Sequence, residues 1–203
     1  MHSRSESSNT IWGGVVWLDR DGTLVDDPGY LADPAGLKLL AKGARAVAKL
    51  NAAGLCVVLI TNQSGIGRGL MSRETVDRIH EKLTGELARE GAHLDGIYLC
   101  PHLPREELKE GQQACSCRKP QTGLVDRAMR ELHLQGLPSV VVGDKESDLE
   151  LARRIQSRSV LVLTGEGAAT RDALKNSQLK PDHLSEDLYT AVAWILEALG
   201  RSR

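Results

Sequence analysis

Two aspartates separated by one residue give the strongest chemical signal in the sequence. Asp19 and Asp21 belong to the run 19–23 (DRDGT), which directly follows the apolar run 15–18. Two carboxylates that share one site repel each other, so they must either share a proton or bind a cation. Mg2+ suits such a pair, because it binds through a few carboxylates and the phosphate oxygens of a substrate. A simple turn with exposed acids is the alternative interpretation of these residues.

Three later segments add polar or charged side chains next to apolar or helical runs. Segment 61–65 (TNQSG) contains a hydroxyl and turn residues whose backbone amides could receive phosphate oxygens. Segment 118–119 (RK) adds two cations, and segment 144–148 (DKESD) has a lysine and two acids one helical turn apart. If the apolar runs are parallel strands of one sheet, these side chains meet at the carboxyl edge.

The apolar runs are continuous and rich in Val, Ile and Leu, as expected of parallel strands that are covered on both faces. Amphipathic patterns separate them, and the clearest predicts a helix from an N-cap at Ser72 to a C-terminal Gly91. The last helix is predicted to follow a cap at Ser185. This alternation predicts an α/β fold with helices on both faces of the sheet. The predicted strands are 15–18, 57–60, 97–99, 140–142 and 160–163.

We expect two long segments, 26–42 and 101–122, to form functional loops. Three cysteines and one histidine lie in the second segment or directly before it. Cys3His is the donor set of many closed, tetrahedral structural zinc sites, although the CxH and CxC spacings here are tighter than the usual CxxC. A disulfide between the last two cysteines is disfavoured, because they are too close for relaxed geometry. The predicted zinc ligands are Cys100, His102, Cys115 and Cys117.

The composition of the 203-residue chain argues against two classes of partner. A formal net charge of -1 and 3% aromatic residues, with no Phe, leave neither a basic field nor stacking platforms for nucleic acid. No apolar stretch approaches the ~20 residues of a membrane span. Residues 1–10 are polar and Ser-rich, unlike a signal peptide. We therefore expect a disordered tail over 1–10, one domain over 11–203, and a cytoplasmic monomer without nucleic-acid or membrane partners.

The motifs together resemble those of the haloacid dehalogenase (HAD) superfamily of phosphohydrolases, with DxDGT at 19–23, a threonine at 61, a lysine at 119 and GDxxxD at 143–148. More closely, the chain resembles the D-glycero-D-manno-heptose 1,7-bisphosphate 7-phosphatases in the stretches LDRDGTLVDDPGYL, ITNQSGIGRG, DGIYLCPH, CSCRKPQTGL and VVGDKESDLELA. The resemblance implies a HAD-like fold, which is a Rossmann-like parallel sheet with helices on both faces. It also implies a zinc-binding loop at 100–117. Many members of the superfamily carry a cap domain between the motifs, but the 42 positions from Asp19 to Thr61 and the 58 from Thr61 to Lys119 leave no room for one.

The resemblance implies a role for each motif residue. Asp19 would attack phosphorus to form an aspartyl-phosphate, and Asp21 would serve as general acid and then as general base. Lys119 and Thr61 would neutralise and hold the phosphoryl oxygens. Catalytic Mg2+ would be held by the Asp19 carboxylate, the Asp21 main-chain oxygen and Asp144, while Zn2+ would be structural. The residues implied in substrate binding are Asp27, Gly29, Tyr30, Asn62, Gln63, Ser64, Arg118 and Lys145.

The resemblance implies an Mg2+-dependent phosphatase that acts on a small sugar phosphate. The expected reaction removes the 7-phosphate of D-glycero-D-manno-heptose 1,7-bisphosphate and leaves heptose 1-phosphate for the synthesis of nucleotide-activated heptose. Histidinol-phosphate phosphatase is the nearest alternative, because that sister family shares the motifs and the zinc loop. A phosphorelay receiver domain is less favoured, since receivers phosphorylate an aspartate after a later strand and Asp21 favours hydrolysis.

Overall fold

A parallel sheet of six strands lies at the centre of the computed structural model, which describes residues 12–200. The predicted tail, residues 1–10, lies outside this range. The strands are β1 (Val15–Leu18), β2 (Cys56–Asn62), β3 (Gly96–Cys100), β4 (Ser139–Gly143), β5 (Arg158–Val162) and β6 (His183–Ser185). Their order is β3-β2-β1-β4-β5-β6, so β1 lies between β2 and β4. The register pairs Leu18 with Leu59 and with Val142, so the three strands end at the same edge of the sheet, with β2 reaching furthest, to Asn62.

Helices connect the strands. The α-helices of residues 12–200 are α1 (Gly43–Ala52), α2 (Ser64–Gly67), α3 (Arg73–Arg89), α4 (Gly123–Glu131), α5 (Glu146–Arg154), α6 (Gly167–Ala173) and α7 (Leu188–Ala198). The predicted ends of α3 are confirmed. The Ser72 side chain accepts a hydrogen bond from Thr75 N at 3.1 Å, and Gly91 adopts a φ of +71° just beyond the helix. Within the described range, no helix is both long and apolar enough to cross a membrane.

Alternate residues of the inner strands pack into two apolar layers, one on each face of the sheet. Val16 and Leu18 of β1 pack with residues of α1, α3 and α7, whereas Val15 and Trp17 pack with residues of α4 and α5. All four side chains are essentially inaccessible to solvent. Burial on both faces explains why the strand sequences are continuously apolar. The predicted parallel sheet with helices on both faces is confirmed.

The end of the chain differs from the prediction in three ways. The five predicted strands correspond to β1 to β5, but the sequence patterns do not predict β6 or α6, which are only three and seven residues long. The predicted helix cap at Ser185 is wrong, because Ser185 is the last residue of β6. The side chain of Asp187 caps α7 instead and accepts a hydrogen bond from Thr190 N at 2.7 Å. Ser and Asp are both common caps, so their proximity in sequence allowed either assignment.

The two segments that could contain a cap domain are taken up by other elements. Residues 19–55 hold a short 3-10 turn (Pro34–Gly36) and α1. Residues 63–122 hold α2, α3, β3 and a second 3-10 turn (Arg105–Glu107). Both segments are described throughout, and neither contains a cap domain. Loops therefore form the walls above the carboxyl edge of the sheet.

Replacing the α7 cap Asp187 by Ala should lower the free energy of unfolding by about 1 kcal/mol, because Thr190 N loses its acceptor. Urea unfolding followed by circular dichroism measures this difference. Asp187→Asn is the matched control, since Asn keeps an acceptor oxygen and should remain close to wild type. Equal stability of the Ala variant and the wild type would contradict the assignment of this cap.

Candidate active site

A buried lysine joins two aspartates at the carboxyl edge of the sheet. Asp19 directly follows β1, and its backbone N donates to Val142 O of β4 at 2.9 Å. The Nζ atom of Lys119 lies 2.5 Å from Asp19 Oδ1 and 2.7 Å from Asp148 Oδ1. Both ion pairs are strong because all three side chains are buried and little water screens their charges.

Burial and neighbouring charges together shift the pKa values of Asp19, Asp144 and Lys119. It raises the pKa of Asp19 to about 7, although the charge of Lys119 acts in the opposite direction. Burial and the nearby Asp19 carboxylate raise the pKa of Asp144 to about 8. Burial alone would lower the pKa of Lys119, but the carboxylates of Asp148 and Asp19 outweigh it and raise that pKa. Lys119 is therefore a permanent cation, whereas the carboxylates of Asp19 and Asp144 need further positive charge to stay ionised.

Asp144 directly follows β4 and has one carboxylate oxygen without a partner. Its Oδ2 accepts a hydrogen bond from Glu166 N at 2.8 Å, and its main-chain oxygen accepts one from Thr170 Oγ1 at 2.8 Å. Its Oδ1 is buried and has no hydrogen-bond donor in the described structure. Carboxylate oxygens of Asp19, Asp144 and Asp148 lie within 4.8 Å of one another. An unpartnered carboxylate oxygen in such a group fits the ligand preference of Mg2+.

Two glycines allow two loops to close on Asp144. A Cβ atom at Gly22 would lie 2.1 Å from Asp144 Oδ2, and one at Gly165 would lie 2.2 Å from the same oxygen. Both glycines have positive φ values, +82° and +55°, which other residues rarely adopt. Thr164 Oγ1 joins the loops by donating to Gly22 O at 2.6 Å. Glycine at both positions therefore permits the close packing around the Asp144 carboxylate.

The Asp21 carboxylate is held on both oxygens by neighbouring side chains. Arg20 Nε donates to Oδ1 at 2.9 Å, and Gln63 Nε2 donates to Oδ2 at 2.6 Å. Thr61 Oγ1 lies 3.5 Å from Oδ2 and accepts a second hydrogen bond from Gln63 Nε2 at 2.7 Å. The side chains of Arg20, Thr61 and Gln63 are all buried. Their contacts fix the orientation of the Asp21 carboxylate.

Asn62, at the end of β2, holds the main chain of Lys119. Its Nδ2 donates to Lys119 O at 3.1 Å, and its Oδ1 accepts from Lys119 N at 2.9 Å. The next residue, Gln63, ties β2 to β3 because its backbone N donates to Cys100 O at 2.7 Å. The Lys119 ammonium is therefore fixed both by the carboxylates around it and by the backbone from which it extends.

A cavity of about 320 Å³ opens at this edge of the sheet, a size typical of small-molecule sites. A recess of about 40 Å³ shares several lining residues with it. The structure brings the residues that the sequence predicts as catalytic together around the recess: Asp19, Asp21, Thr61 and Lys119. It also places every residue predicted to bind substrate on the wall of the larger cavity: Asp27, Gly29, Tyr30, Asn62, Gln63, Ser64, Arg118 and Lys145.

Charges on the wall of the cavity are partly paired with one another. Lys145 Nζ lies 3.2 Å from Asp27 Oδ2 and 3.1 Å from Glu166 Oε1. Burial would lower the pKa of Lys145, but the surrounding carboxylates raise it, so this lysine is also a cation. Arg118 makes no salt bridge within the described range, and its Nη1 donates to the main-chain oxygen of His102 at 3.2 Å. Arg118 is thus the cation of this wall that is available to an anionic ligand.

The predicted zinc residues form one cluster beside the cavity. The Cys100 Sγ atom lies 3.6 Å from Cys115 Sγ and 3.1 Å from Cys117 Sγ, and His102 Nδ1 lies 3.2 Å from Cys117 Sγ. Tetrahedral Zn2+ with bonds of about 2.0–2.3 Å would hold such donors roughly 3.5–3.8 Å apart. All four donors lie within 4.8 Å of one another, and none of the cysteines forms a disulfide. The cluster is a candidate Cys3His metal site.

Several residues of the site receive no role from the sequence patterns, among them Glu166 on the cavity wall and Arg20 and His80 behind Asp21. Arg20 lies inside the DRDGT run, where its position between two acids is a signal for ion pairing. Glu166 follows β5 at the same edge of the sheet, a position that favours a site residue. His80 is 60 residues from Arg20 in sequence, yet its ring contacts the Arg20 guanidinium. That contact depends on the packing of α3 against the sheet, so the sequence gives no signal for it.

The chain is similar to HAD-like phosphatases over most of its length. A family model described as HAD-hydrolase-like matches residues 116–191. The D-glycero-beta-D-manno-heptose-1,7-bisphosphate 7-phosphatase of Yersinia pestis is 39% identical over 170 residues, which cover 80% of this chain and 90% of the relative. The D-glycero-D-manno-heptose-1,7-bisphosphate 7-phosphatase of Thermosynechococcus vestitus is 39% identical over 185 residues, covering 89% and 94%.

A solved structure shares the fold as well. The crystal structure of the D,D-heptose 1,7-bisphosphate phosphatase from B. bronchiseptica, complexed with magnesium and phosphate, is 33% identical and superposes with a TM-score of 0.79. The match covers 91% of this chain and 98% of that one. Sequence and fold agree across nearly the whole length of these proteins. The chain therefore belongs to the D-glycero-D-manno-heptose 1,7-bisphosphate 7-phosphatase family of HAD-like hydrolases.

Proposed function

We propose that the protein is an Mg2+-dependent phosphatase that removes the 7-phosphate of D-glycero-D-manno-heptose 1,7-bisphosphate. The observation that carries this proposal is the recess in which Asp19, Asp21, Thr61 and Lys119 meet, next to a cavity that is lined by Arg118. The recess has the groups needed to transfer a phosphoryl group, and the cavity can hold the rest of a sugar. The activity named for the relatives from Yersinia pestis and Thermosynechococcus vestitus supports the same substrate.

Asp19 is the proposed nucleophile. Its carboxylate attacks phosphorus while the bond to the sugar oxygen breaks, which gives an aspartyl-phosphate and divides one difficult hydrolysis into two steps. Lys119 Nζ, 2.5 Å from Asp19 Oδ1, favours the ionised carboxylate and offsets its repulsion of the phosphoryl oxygens. The two hydrogen bonds between the Asn62 side chain and the Lys119 main chain hold this charge in place before substrate binds. Thr61 adds a hydroxyl donor at the wall of the recess.

Asp21 is the proposed general acid and base. In the first step it gives a proton to the departing sugar oxygen. In the second step it takes a proton from the water that attacks phosphorus and releases the Asp19 carboxylate. Its two oxygens are held by Arg20 on one side and by Gln63 on the other, at the wall of the recess.

The acidic cluster is the proposed magnesium site. The Asp19 carboxylate, the Asp21 main-chain oxygen and Asp144 would hold the ion, and the unpartnered Asp144 Oδ1 supports this assignment. When bound, Mg2+ reduces the repulsion between the carboxylates and a phosphate and withdraws charge from the phosphoryl oxygens. The B. bronchiseptica phosphatase, which was crystallised as a complex with magnesium and phosphate, supports a site of this kind.

Arg118 favours a substrate with a second anionic group. Its guanidinium has no carboxylate partner within the described range and lines the larger cavity, where it can bind a phosphate with two parallel hydrogen bonds. Histidinol phosphate would bring an ammonium group instead, which the unpaired guanidinium would repel. The acids of the same wall, Asp27 and Glu166, are already paired with Lys145. The charge pattern therefore favours a sugar bisphosphate over histidinol phosphate.

The Cys3His cluster is the proposed site of a structural Zn2+. Four protein donors would fill its tetrahedral coordination and leave no position for substrate. The cluster is adjacent to the cationic segment, because Cys117 directly precedes Arg118 and His102 O accepts a hydrogen bond from that arginine at 3.2 Å. Zinc would thus fix the position of Arg118 and of the following Lys119. Burial raises the pKa of Cys100, so a thiolate at this position requires the charge of a metal ion.

The protein is further proposed to work as a cytoplasmic monomer with a small sugar phosphate as its ligand. The proposed catalytic residues and the proposed substrate-binding residues all line one cavity and its recess within a single chain, which is the arrangement expected if one copy suffices for catalysis. A reducing compartment keeps the cysteines available as thiolate ligands.

Asp19→Asn should abolish turnover, with kcat lowered on the order of 10⁴-fold or more, because an amide cannot attack phosphorus. The measurement is phosphate release from the heptose bisphosphate. The substitution changes the side-chain volume very little, so circular dichroism should show a native fold. Asp187→Asn, at the distant cap of α7, is the matched control and should keep full activity. Appreciable turnover by Asp19→Asn would overturn the nucleophile assignment.

Arg118→Gln should raise KM for the heptose bisphosphate about 10-fold or more, because the charge-assisted hydrogen bonds to the distal phosphate are lost. The KM for heptose 7-phosphate, which has no distal phosphate, should change less than about twofold. Arg130→Gln on the exposed side of α4 is the matched control. Steady-state kinetics of the wild type with both candidate substrates completes the test, and a higher kcat/KM for histidinol phosphate would contradict the proposed substrate.

Cys115→Ser should lower both the zinc content and Tm, because one of the four ligands of the closed site is lost. Elemental analysis of the purified protein and thermal unfolding measure the two effects. Cys56→Ala is the matched control, since Cys56 is a buried cysteine of β2 outside the cluster, and its zinc content should equal that of the wild type. An unchanged zinc content in Cys115→Ser would refute the structural zinc site.

A further inference from the structure

Arg20, which holds one oxygen of Asp21, is a buried cation that needs support of its own. Its side chain is only 1% exposed, and its guanidinium contacts three other side chains. The Nε and Nη2 atoms lie 2.9 Å and 2.8 Å from Asp21 Oδ1, Nη2 donates to Gln63 Oε1 at 2.9 Å, and Nη1 lies 3.1 Å from His80 Nε2. A buried charge is tolerated only where acceptors surround it, so these contacts depend on one another.

His80 is the acceptor on the side of the guanidinium away from Asp21. The ring lies on α3 and is buried. A guanidinium can only donate, so His80 Nε2 must accept the hydrogen bond and the ring proton must reside on Nδ1. Burial and the positive charge of Arg20 lower the pKa of His80 to about 4, which keeps the ring neutral at physiological pH. The histidine thus holds the Nη1 side of the guanidinium while Asp21 occupies the Nε–Nη2 edge.

Arg20 also determines the orientation of the Gln63 amide. Gln63 Oε1 accepts from Arg20 at 2.9 Å, so the amide nitrogen faces Asp21 and Thr61. That nitrogen donates to Asp21 Oδ2 at 2.6 Å and to Thr61 Oγ1 at 2.7 Å. Arg20 therefore acts on both oxygens of Asp21, directly on Oδ1 and through Gln63 on Oδ2.

We infer that His80 and Arg20 are positioning residues that hold the Asp21 carboxyl group where, in its protonated form, it can give its proton to the departing sugar oxygen. The inference rests on the proposed function and extends it to a residue on α3, outside the motifs that follow the strands. His80 anchors Arg20, and Arg20 anchors Asp21 and Gln63. Loss of the His80 acceptor would leave a buried N–H unsatisfied and free the guanidinium to move.

The first chemical step is the one that depends on this position. A bond forms between Asp19 Oδ and phosphorus, the bond between phosphorus and the sugar oxygen breaks, and that oxygen takes the proton of Asp21. An alkoxide is a poor leaving group, so the placement of this proton controls the rate. A p-nitrophenolate ion departs without a proton, so formation of the aspartyl-phosphate from p-nitrophenyl phosphate does not need Asp21 as an acid.

The test compares kcat/KM of His80→Leu for heptose bisphosphate and for p-nitrophenyl phosphate, because kcat/KM reports on the steps up to the aspartyl-phosphate. We expect a fall of about 10-fold or more for the sugar phosphate and less than about twofold for the aryl phosphate. His80→Gln keeps an acceptor oxygen and should restore most of the lost activity. Arg20→Lys keeps the positive charge but loses the planar guanidinium, and it should show the same loss on the sugar phosphate alone. This variant also tests the inference if His80→Leu does not fold.

Ile79→Val is the matched control for destabilisation. Ile79 is a buried apolar residue of α3, and its truncation should lower Tm while the ratio of the two kcat/KM values stays at the wild-type level. Equal losses on both substrates in His80→Leu and Arg20→Lys, or no loss in either, would overturn the inference. A failure of the proposed function gives a different result, because the wild type itself would then be inactive on heptose bisphosphate. Fructose 1,6-bisphosphate, or another alkyl phosphate that the enzyme hydrolyses, would then serve in the same comparison.

Discussion

The charge balance at the carboxyl edge of the sheet is the constraint on which the site depends. Carboxylate oxygens of Asp19, Asp144 and Asp148 lie within 4.8 Å of one another, and the Lys119 ammonium contacts two of the three. Three ionised carboxylates against one ammonium leave two excess negative charges, which a buried site tolerates only with protonation or another cation. Burial, together with the neighbouring carboxylates, raises the pKa of Asp19 to about 7 and that of Asp144 to about 8. A divalent cation has the charge that would balance the excess negative charge.

The scaffold around this cluster fixes each charge from more than one direction. Asp148 accepts from Lys119 Nζ on one oxygen and from Lys145 N on the other, at the N-terminus of α5, where the helix dipole favours a carboxylate. The Asn62 side chain holds the Lys119 main chain, and Glu166 N holds Asp144. Because most of these supports are backbone groups or buried side chains, little reorganisation is needed when charge moves during phosphoryl transfer.

The parts of the site that follow strands could be predicted from the sequence, because a continuous apolar run indicates both a buried strand and the edge at which it ends. Asp19, Thr61 and Asp144 could be located at one edge in this way. Contacts that depend on how a helix packs on the sheet, such as that of His80 with Arg20, could not be located from such runs. The same limit applies to β6, whose three residues are too few to give a pattern.

The charges of the recess are more buried than those of the cavity wall. This difference explains why the reaction class and the choice of substrate depend on different residues. Charges of the recess are buried and mutually dependent, so any change among them alters the reaction itself. On the wall, Lys145 is partly exposed and Glu166 is 64% exposed. Lys145 directly precedes α5, and Glu166 directly precedes α6. The exposed Glu166 carboxylate can change with little effect on the buried cluster, whereas Lys145 also lines the recess and its charge opposes the rise that burial causes in the pKa of Asp144. The reaction class therefore follows from the motif residues, whereas the substrate depends on loop geometry around Arg118 that no periodic pattern encodes.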